Sequence, residues 1–265
     1  MPDITINHLR IHFEESGSGD ALLFLHGLGS CGQDWLLQIP VFCPRFHVIA
    51  PDLHGHGQTD KPRRRVGIAQ MTVDVACLLD ELGVKRTHVV GLSMGGCVAQ
   101  QLALDDPARI RSLTLVNTFA RFDMGAPGNA IPLVARMGIL GVLGLPAQAR
   151  FVAARMFPKP EQAQLRTLAA ERIASNDTAT YIRLLLAISA FNVTRRLSEI
   201  ACPTLVIAGD RDTTVPLRAK QFLAAHIPGA RFELVADSGH ATPIDQPVVF
   251  NQLALGFLVS QAELG

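Results

Sequence analysis

The 265-residue chain has almost no charge imbalance: 24 Lys and Arg stand against 23 Asp and Glu, a formal net charge of +1. It therefore carries no electrostatic footprint for nucleic acid or an anionic membrane. The one basic cluster, Lys61 to Arg65, is interrupted by Pro62 and reads as a solvated loop. Cys-x-x-Cys pairs are missing too. The five cysteines (Cys31, Cys43, Cys77, Cys97 and Cys202) are odd in number and scattered, which argues against a zinc site and against a disulfide framework. No metal and no cofactor are expected. Met1 to Arg10 alternates and carries charge, so it lacks the apolar core of a secretory signal. The most apolar stretch, Met137 to Pro146, is broken by glycines and falls short of the roughly 20 apolar residues that span a bilayer. These absences predict a reduced, cytoplasmic protein with no membrane span and leave oligomeric state open.

What is present is apolar: 48% hydrophobic against 18% charged residues, enough to bury a large core and too much for a disordered chain. Ile4 to Ile6 and Leu9 to Phe13 alternate like two arms of a hairpin turned at Asn7-His8. Short, nearly continuous apolar runs follow at Ala21 to Leu25, His47 to Ala50, Thr87 to Val90, Ser112 to Val116 and Thr204 to Ala208. Such runs suit parallel strands covered on both faces. Helical stretches lie between them at Met71 to Leu82, Met94 to Leu104 and Leu217 to His226. The rhythm predicts a doubly wound, mostly parallel α/β sheet. It stops between strands six and seven, where Ile131 to Leu143, Pro146 to Met156, Glu161 to Ser175 and Thr178 to Ala190 read as helices alone. The expected division is a core of residues 1–118 and 198–265 with a helical lid inserted at 119–197. No internal repeat or low-complexity segment is evident.

Val89-Val90-Gly91-Leu92-Ser93-Met94-Gly95 puts Gly-x-Ser-x-Gly directly after a strand and before a helix. A serine on so sharp a turn holds a strained backbone, and neighbours two residues away must lack a Cβ to fit. The helix that follows aims its amides where negative charge would develop. A serine hydroxyl needs a base, and the base an orienting acid. Two later segments supply both just past strand ends: Gly209-Asp210-Arg211-Asp212-Thr213-Thr214-Val215-Pro216 and Asp237-Ser238-Gly239-His240. Asp210 competes for the acid role, although its place immediately after the strand suits turn work. His54-x-His56 has too few partners at suitable spacing for a metal.

Taken with Leu25-His26-Gly27-Leu28-Gly29-Ser30 and Pro51-Asp52-Leu53-His54-Gly55-His56-Gly57, these segments make the chain resemble, over nearly its whole length, α/β-hydrolases of the carboxylesterase and 3-oxoadipate enol-lactonase type. The resemblance implies the α/β-hydrolase fold with Ser93 as nucleophile, His240 as base and Asp212 as acid. It also implies an oxyanion hole from the backbone amides of Leu28 and Met94. The order Ser, Asp, His matches the family's. A serine at the nucleophile position sets aside haloalkane dehalogenases and epoxide hydrolases, which carry aspartate there. Carbon–carbon bond hydrolases, cofactor-free perhydrolases or haloperoxidases, and ligand receptors with a slow triad share these residues. The expected partner is a small to medium ester or lactone. His26, expected to order the oxyanion loop, and Phe119, Phe122, Met124, Met137 and Phe157 are the candidate pocket residues, with Arg121, Arg136, Arg150 and Arg155 as possible carboxylate binders.

Overall fold

Apolar strands buried along almost their whole length build the centre of the sheet in the computed structural model, which describes residues 2–6, 8–61, 66–122 and 133–262. The described strands are β1 (Asp3–Ile6), β2 (Leu9–Ser16), β3 (Asp20–Leu25), β4 (Phe46–Pro51), β5 (Thr87–Leu92), β6 (Ile110–Val116), β7 (Thr204–Gly209) and β8 (Arg231–Val235). They form one eight-stranded sheet in the order β1-β2-β4-β3-β5-β6-β7-β8. The β1–β2 and β2–β4 pairs are antiparallel and the other five parallel. β2 outruns the Leu9 to Phe13 expected from alternation because its second half pairs with β4 through Ser16.

Side-chain alternation divides the interior into two cores. Leu23 and Leu25 of β3, Val89 of β5, Leu113 and Leu115 of β6 and Val206 of β7 point to one face. Leu22 and Phe24, Val90, Val116, Leu205 and Ile207 point to the other. The helices are α1 (Ile39–Phe42), α2 (Ile68–Glu81), α3 (Met94–Asp105), α4 (Leu133–Met156), α5 (Ala163–Ala174), α6 (Thr178–Ser189), α7 (Leu217–His226), α8 (Thr242–Asp245) and α9 (Pro247–Ala262). The first face is covered by α2, α3 and α7 through residues such as Leu78, Val98 and Leu223. The second is covered by Phe42 of α1 and by Phe250, Phe257 and Leu258 of α9. A wholly buried Leu or Phe contributes about 1.5–3 kcal/mol, so each face is a major source of stability.

α4, α5 and α6 all fall between β6 and β7 and have a small core of their own: Leu140, Leu145, Ala149, Ile173, Tyr181 and Leu185. Leu184 and Ile188 of α6 instead join the sheet core. The segment is tied off at its neck, where the Val193 amide donates to the Ala120 carbonyl at 2.9 Å and Arg121 bridges Asn192. By length and composition alone, Arg136–Met156 could cross a membrane (21 residues, mean hydropathy 1.4), a longer apolar helix than the Met137 to Pro146 run suggested. Its helical geometry breaks at Gly144 (φ 76°, ψ 177°), two residues before Pro146. Each half is thus shorter than the roughly 20 residues a span requires. The break falls where the sequence predicted a gap between two helices.

Candidate active site

β5 delivers its last residues into a turn so tight that Ser93 adopts φ 53°, ψ −113° before α3 begins. The turn closes because its neighbours have no Cβ. A Cβ on Gly95 would lie 2.1 Å from the Leu25 carbonyl oxygen, and one on Gly91 would lie 2.5 Å from the Gly95 oxygen. The strained serine is held from both sides. Its amide donates to the Val116 carbonyl at 2.9 Å, and its carbonyl accepts from Thr118 Oγ1 at 2.7 Å.

Ser93 and His240 line the same cavity, of about 700 Å³. The His240 ring is buried, and its Nδ1–H donates to Asp212 Oδ2 at 3.0 Å. The other oxygen of Asp212 accepts the backbone amides of Thr214 (2.8 Å) and Val215 (3.1 Å). Burial is the largest influence on this carboxyl and pushes its pKa up, but His240 and then Lys220 outweigh it, lowering the pKa to about 2. Asp210, the other candidate acid, is exposed and accepts the Ser238 amide at 3.0 Å, the turn role its position suggested.

Leu28 lies on the cavity wall and Met94 is the buried first residue of α3. The Leu28 loop is fastened by His26, whose Nδ1–H donates to the Gly27 carbonyl at 2.8 Å while Nε2 accepts the Leu53 amide at 2.9 Å. Burial lowers the pKa of His26 to about 4, so the ring is neutral, as an accepting Nε2 requires. From the helical insertion, Asn176 donates to the Gly29 carbonyl at 3.1 Å.

His26, Phe119, Phe122 and Phe157 also line the cavity. Met137 does not; it packs into the core of the helical segment, with Leu140 and Tyr181 among its residues. Met124 lies outside the described residues. Arg136 and Arg155 line the cavity, whereas Arg121 and Arg150 are exposed. Among the described residues no group of three or more His, Cys, Asp or Glu is placed to hold a metal. His54 pairs with Asp74 at 2.7 Å, and both ring nitrogens of His56 are buried without a hydrogen bond. Burial raises the thiol pKa of Cys31 and of Cys97 to about 12, so both stay protonated.

Two residues that sequence reasoning passed over join these parts. Asn117, just past β6 and at φ 43°, donates through Nδ2 to the His240 carbonyl and Thr242 Oγ1 (both 2.8 Å) and accepts the Gly209 amide at 2.9 Å. Lys220 of α7 is entirely buried, with its Nζ 3.0 Å from Asp212 Oδ2. The only signal for Asn117 was its place at the carboxyl end of a parallel strand.

A sequence description of the alpha/beta hydrolase fold matches residues 20–247. The chain belongs to that family. It is 33% identical over 252 residues to a protein assigned as a carbamate hydrolase, RutD, of Azorhizobium caulinodans, covering 93% of this chain and 94% of the relative. It is 30% identical to 3-oxoadipate enol-lactonase 2 of Acinetobacter baylyi, covering 94% and 92% of the two chains. The crystal structure of the enol-lactonase from Burkholderia xenovorans LB400 superposes with a TM-score of 0.89 at 28% identity, covering 97% of this chain and all of the other. The chain thus shares an α/β-hydrolase architecture, and not merely a short motif, with hydrolytic enzymes.

Proposed function

We propose that this α/β hydrolase cleaves a carboxylic ester or lactone by acyl transfer to Ser93. The observation that carries the reading is the shared cavity: a strained, turn-held serine and a buried histidine whose Nδ1 is committed to Asp212. With Nδ1 so engaged, Nε2 is the nitrogen left to take the serine proton. The enol-lactonase relatives favour lactone or ester substrates over other chemistry on the same residues.

In this mechanism His240 takes the Ser93 proton as Oγ attacks the carbonyl carbon. The carbonyl π pair moves onto oxygen, which the amides of Leu28 and Met94 receive. Collapse expels the alcohol or ring oxygen, protonated by His240, and leaves an acyl ester on Ser93. Water, deprotonated by His240, then releases the acid. Asp212 fixes the tautomer and stabilises the imidazolium in both halves. Each oxyanion donor is worth about 3 kcal/mol of barrier in such sites. Residues 119–197 act as the lid that shapes the cavity, whose volume and largely apolar walls suit a small to medium acyl group.

Ser93→Ala should abolish turnover of p-nitrophenyl butyrate and of simple lactones, and a fluorophosphonate probe should label wild type at Ser93 only. Turnover by Ser93→Ala near the wild-type rate would remove the assignment. A labelled protein that is inert on every ester and lactone in a panel would favour the carbon–carbon or peroxide-dependent reactions. An unlabelled, inert protein would favour a receptor.

A further inference from the structure

A lysine with no exposed surface is rare, and one on the acid of a candidate triad is rarer. Lys220 has zero exposure, and its three N–H donors are all used: Asp212 Oδ2 at 3.0 Å, Asn117 Oδ1 at 3.1 Å and the Gly209 carbonyl at 3.2 Å. The Asp212 oxygen it binds is the one that His240 Nδ1–H also binds, at 3.0 Å. With the Thr214 and Val215 amides on the other oxygen, a single buried carboxylate takes four donors, two on each atom. Packing alone does not require this, since a leucine or methionine would fill the same volume without burying an ion pair.

We propose that Lys220 is a positioning residue that fixes the shared oxygen of Asp212 and tempers the pull of that carboxylate on the His240 imidazolium. An isolated carboxylate would act on the ring with its full charge; a carboxylate already paired to an ammonium on the same oxygen acts with part of it. The consequence is a base that releases its proton more readily, so the enzyme keeps activity at lower pH. Burial pushes the pKa of Lys220 down and outweighs the upward push of the neighbouring Asp212 and Asp210; the ion pair at 3.0 Å is what holds the proton on Nζ. Other charges face the same cluster: Arg155 from α4, Asp210 from the turn after β7, and Lys159 with Asp237 and Asp245 around the His240 loop. None of them changes in the variants below.

The inference rests on the Ser93–His240–Asp212 reading and is tested on the full chain. In Lys220→Met, which keeps an apolar stem and loses the charge, the acidic limb of kcat/KM against pH should move up by about one pH unit, as removal of a close charge does. Lys220→Gln keeps polar partners for Asn117 and Gly209 without the charge, and should show the same displacement with a smaller loss of kcat. It also answers the question if Lys220→Met fails to fold. A limb unmoved in either folded variant, whatever the fall in kcat, would reduce Lys220 to scaffolding and overturn the inference. Displacement in Lys220→Met but not in Lys220→Gln would overturn the charge argument in favour of hydrogen bonding alone. Failure of the parent reading looks different: Ser93→Ala would then keep its activity, irrespective of Lys220.

Discussion

Gly95 and Gly27 flank the same serine, yet only one of them is forced. A methyl on Gly95 would meet the Leu25 backbone at 2.1 Å and the His26 carbonyl oxygen at 2.7 Å, atoms fixed in or beside the central strand β3. Gly95→Ala should therefore lose about 3 kcal/mol or more of stability, or fail to accumulate as folded protein, by thermal or urea unfolding. A methyl on Gly27 meets Ser93 Cβ at 3.6 Å, an ordinary contact, so Gly27→Ala should unfold within about 1 kcal/mol of wild type. The Gly-x-Ser-x-Gly turn was legible because its residues are consecutive and the close approach of Gly91 to Gly95 lies within it, although the clash that forces Gly95 comes from β3. Lys220 was not. Between Arg218 and Gln221 on a helix predicted correctly as Leu217 to His226, nothing in the spacing separates a buried lysine from a solvated one. Its burial is a tertiary fact, made by the arrival of Asn117 and Asp212 from two other strands.

Among the elements, α4 is the one whose ends matter most. Its last residues reach the chemistry directly: the Met156 carbonyl accepts the His240 amide at 3.2 Å, and Arg155 and Thr213 exchange hydrogen bonds. Just beyond, Lys159 Nζ spans Asp237 Oδ2 at 2.9 Å and the wholly buried Asp245 at 3.4 Å, on either side of the His240 loop. Lys159→Ala removes the ammonium from Asp245, whose two oxygens keep Gln162 Nε2 and the Gly239 amide, so it should cost about 1 kcal/mol in urea unfolding. It should also lower kcat more than it changes KM, because the base loosens while the cavity wall stays. The glycine and proline at 144 and 146 revealed the break in this helix from sequence. That its far end is anchored to the base could not be read there, because a backbone carbonyl leaves no residue signature.

Across the whole molecule the dominant acid-sensitive groups are histidines. Burial lowers the pKa of His26 to about 4, of His56 to about 3 (with His26 adding to the effect) and of His88 to about 4. An unfolded chain takes up these protons near pH 6.5 and the folded chain does not, so stability falls as pH drops from 6.5 towards 4. A tenfold loss of proton affinity corresponds to about 1.4 kcal/mol, so the three rings together put several kcal/mol at risk in a domain with about 5–15 to lose. Asp212 runs in a lower window: its contribution is complete above its ordinary value of 3.8 and is lost only as pH falls through about 2. The histidines therefore decide. The urea midpoint should drop between pH 7 and pH 5, well before any carboxylate of the site is protonated, and a flat midpoint over that range would contradict the burial argument. That the central strands are buried on both faces was legible from their nearly continuous apolar runs. The neutral state of the histidines was not: His88 in β5 and His56 in the loop after β4 read the same in sequence whether buried or solvated, and only His26 had an expected role.

The neck at Ala120–Val193 and Arg121–Asn192 has an evolutionary consequence. A segment that leaves and rejoins the sheet at touching points can be replaced as a cassette, because its two junctions need no new span between them. A transplanted cassette has obligations to its host. It must present an apolar face where Leu184 and Ile188 meet the sheet core, and a backbone carbonyl where Met156 holds His240. It must also keep Lys159 between Asp237 and Asp245 and the Asn176 donor to the Gly29 carbonyl. Positions outside these contacts carry no such obligation, so the cavity wall can change while the strands and the reacting groups stay in place.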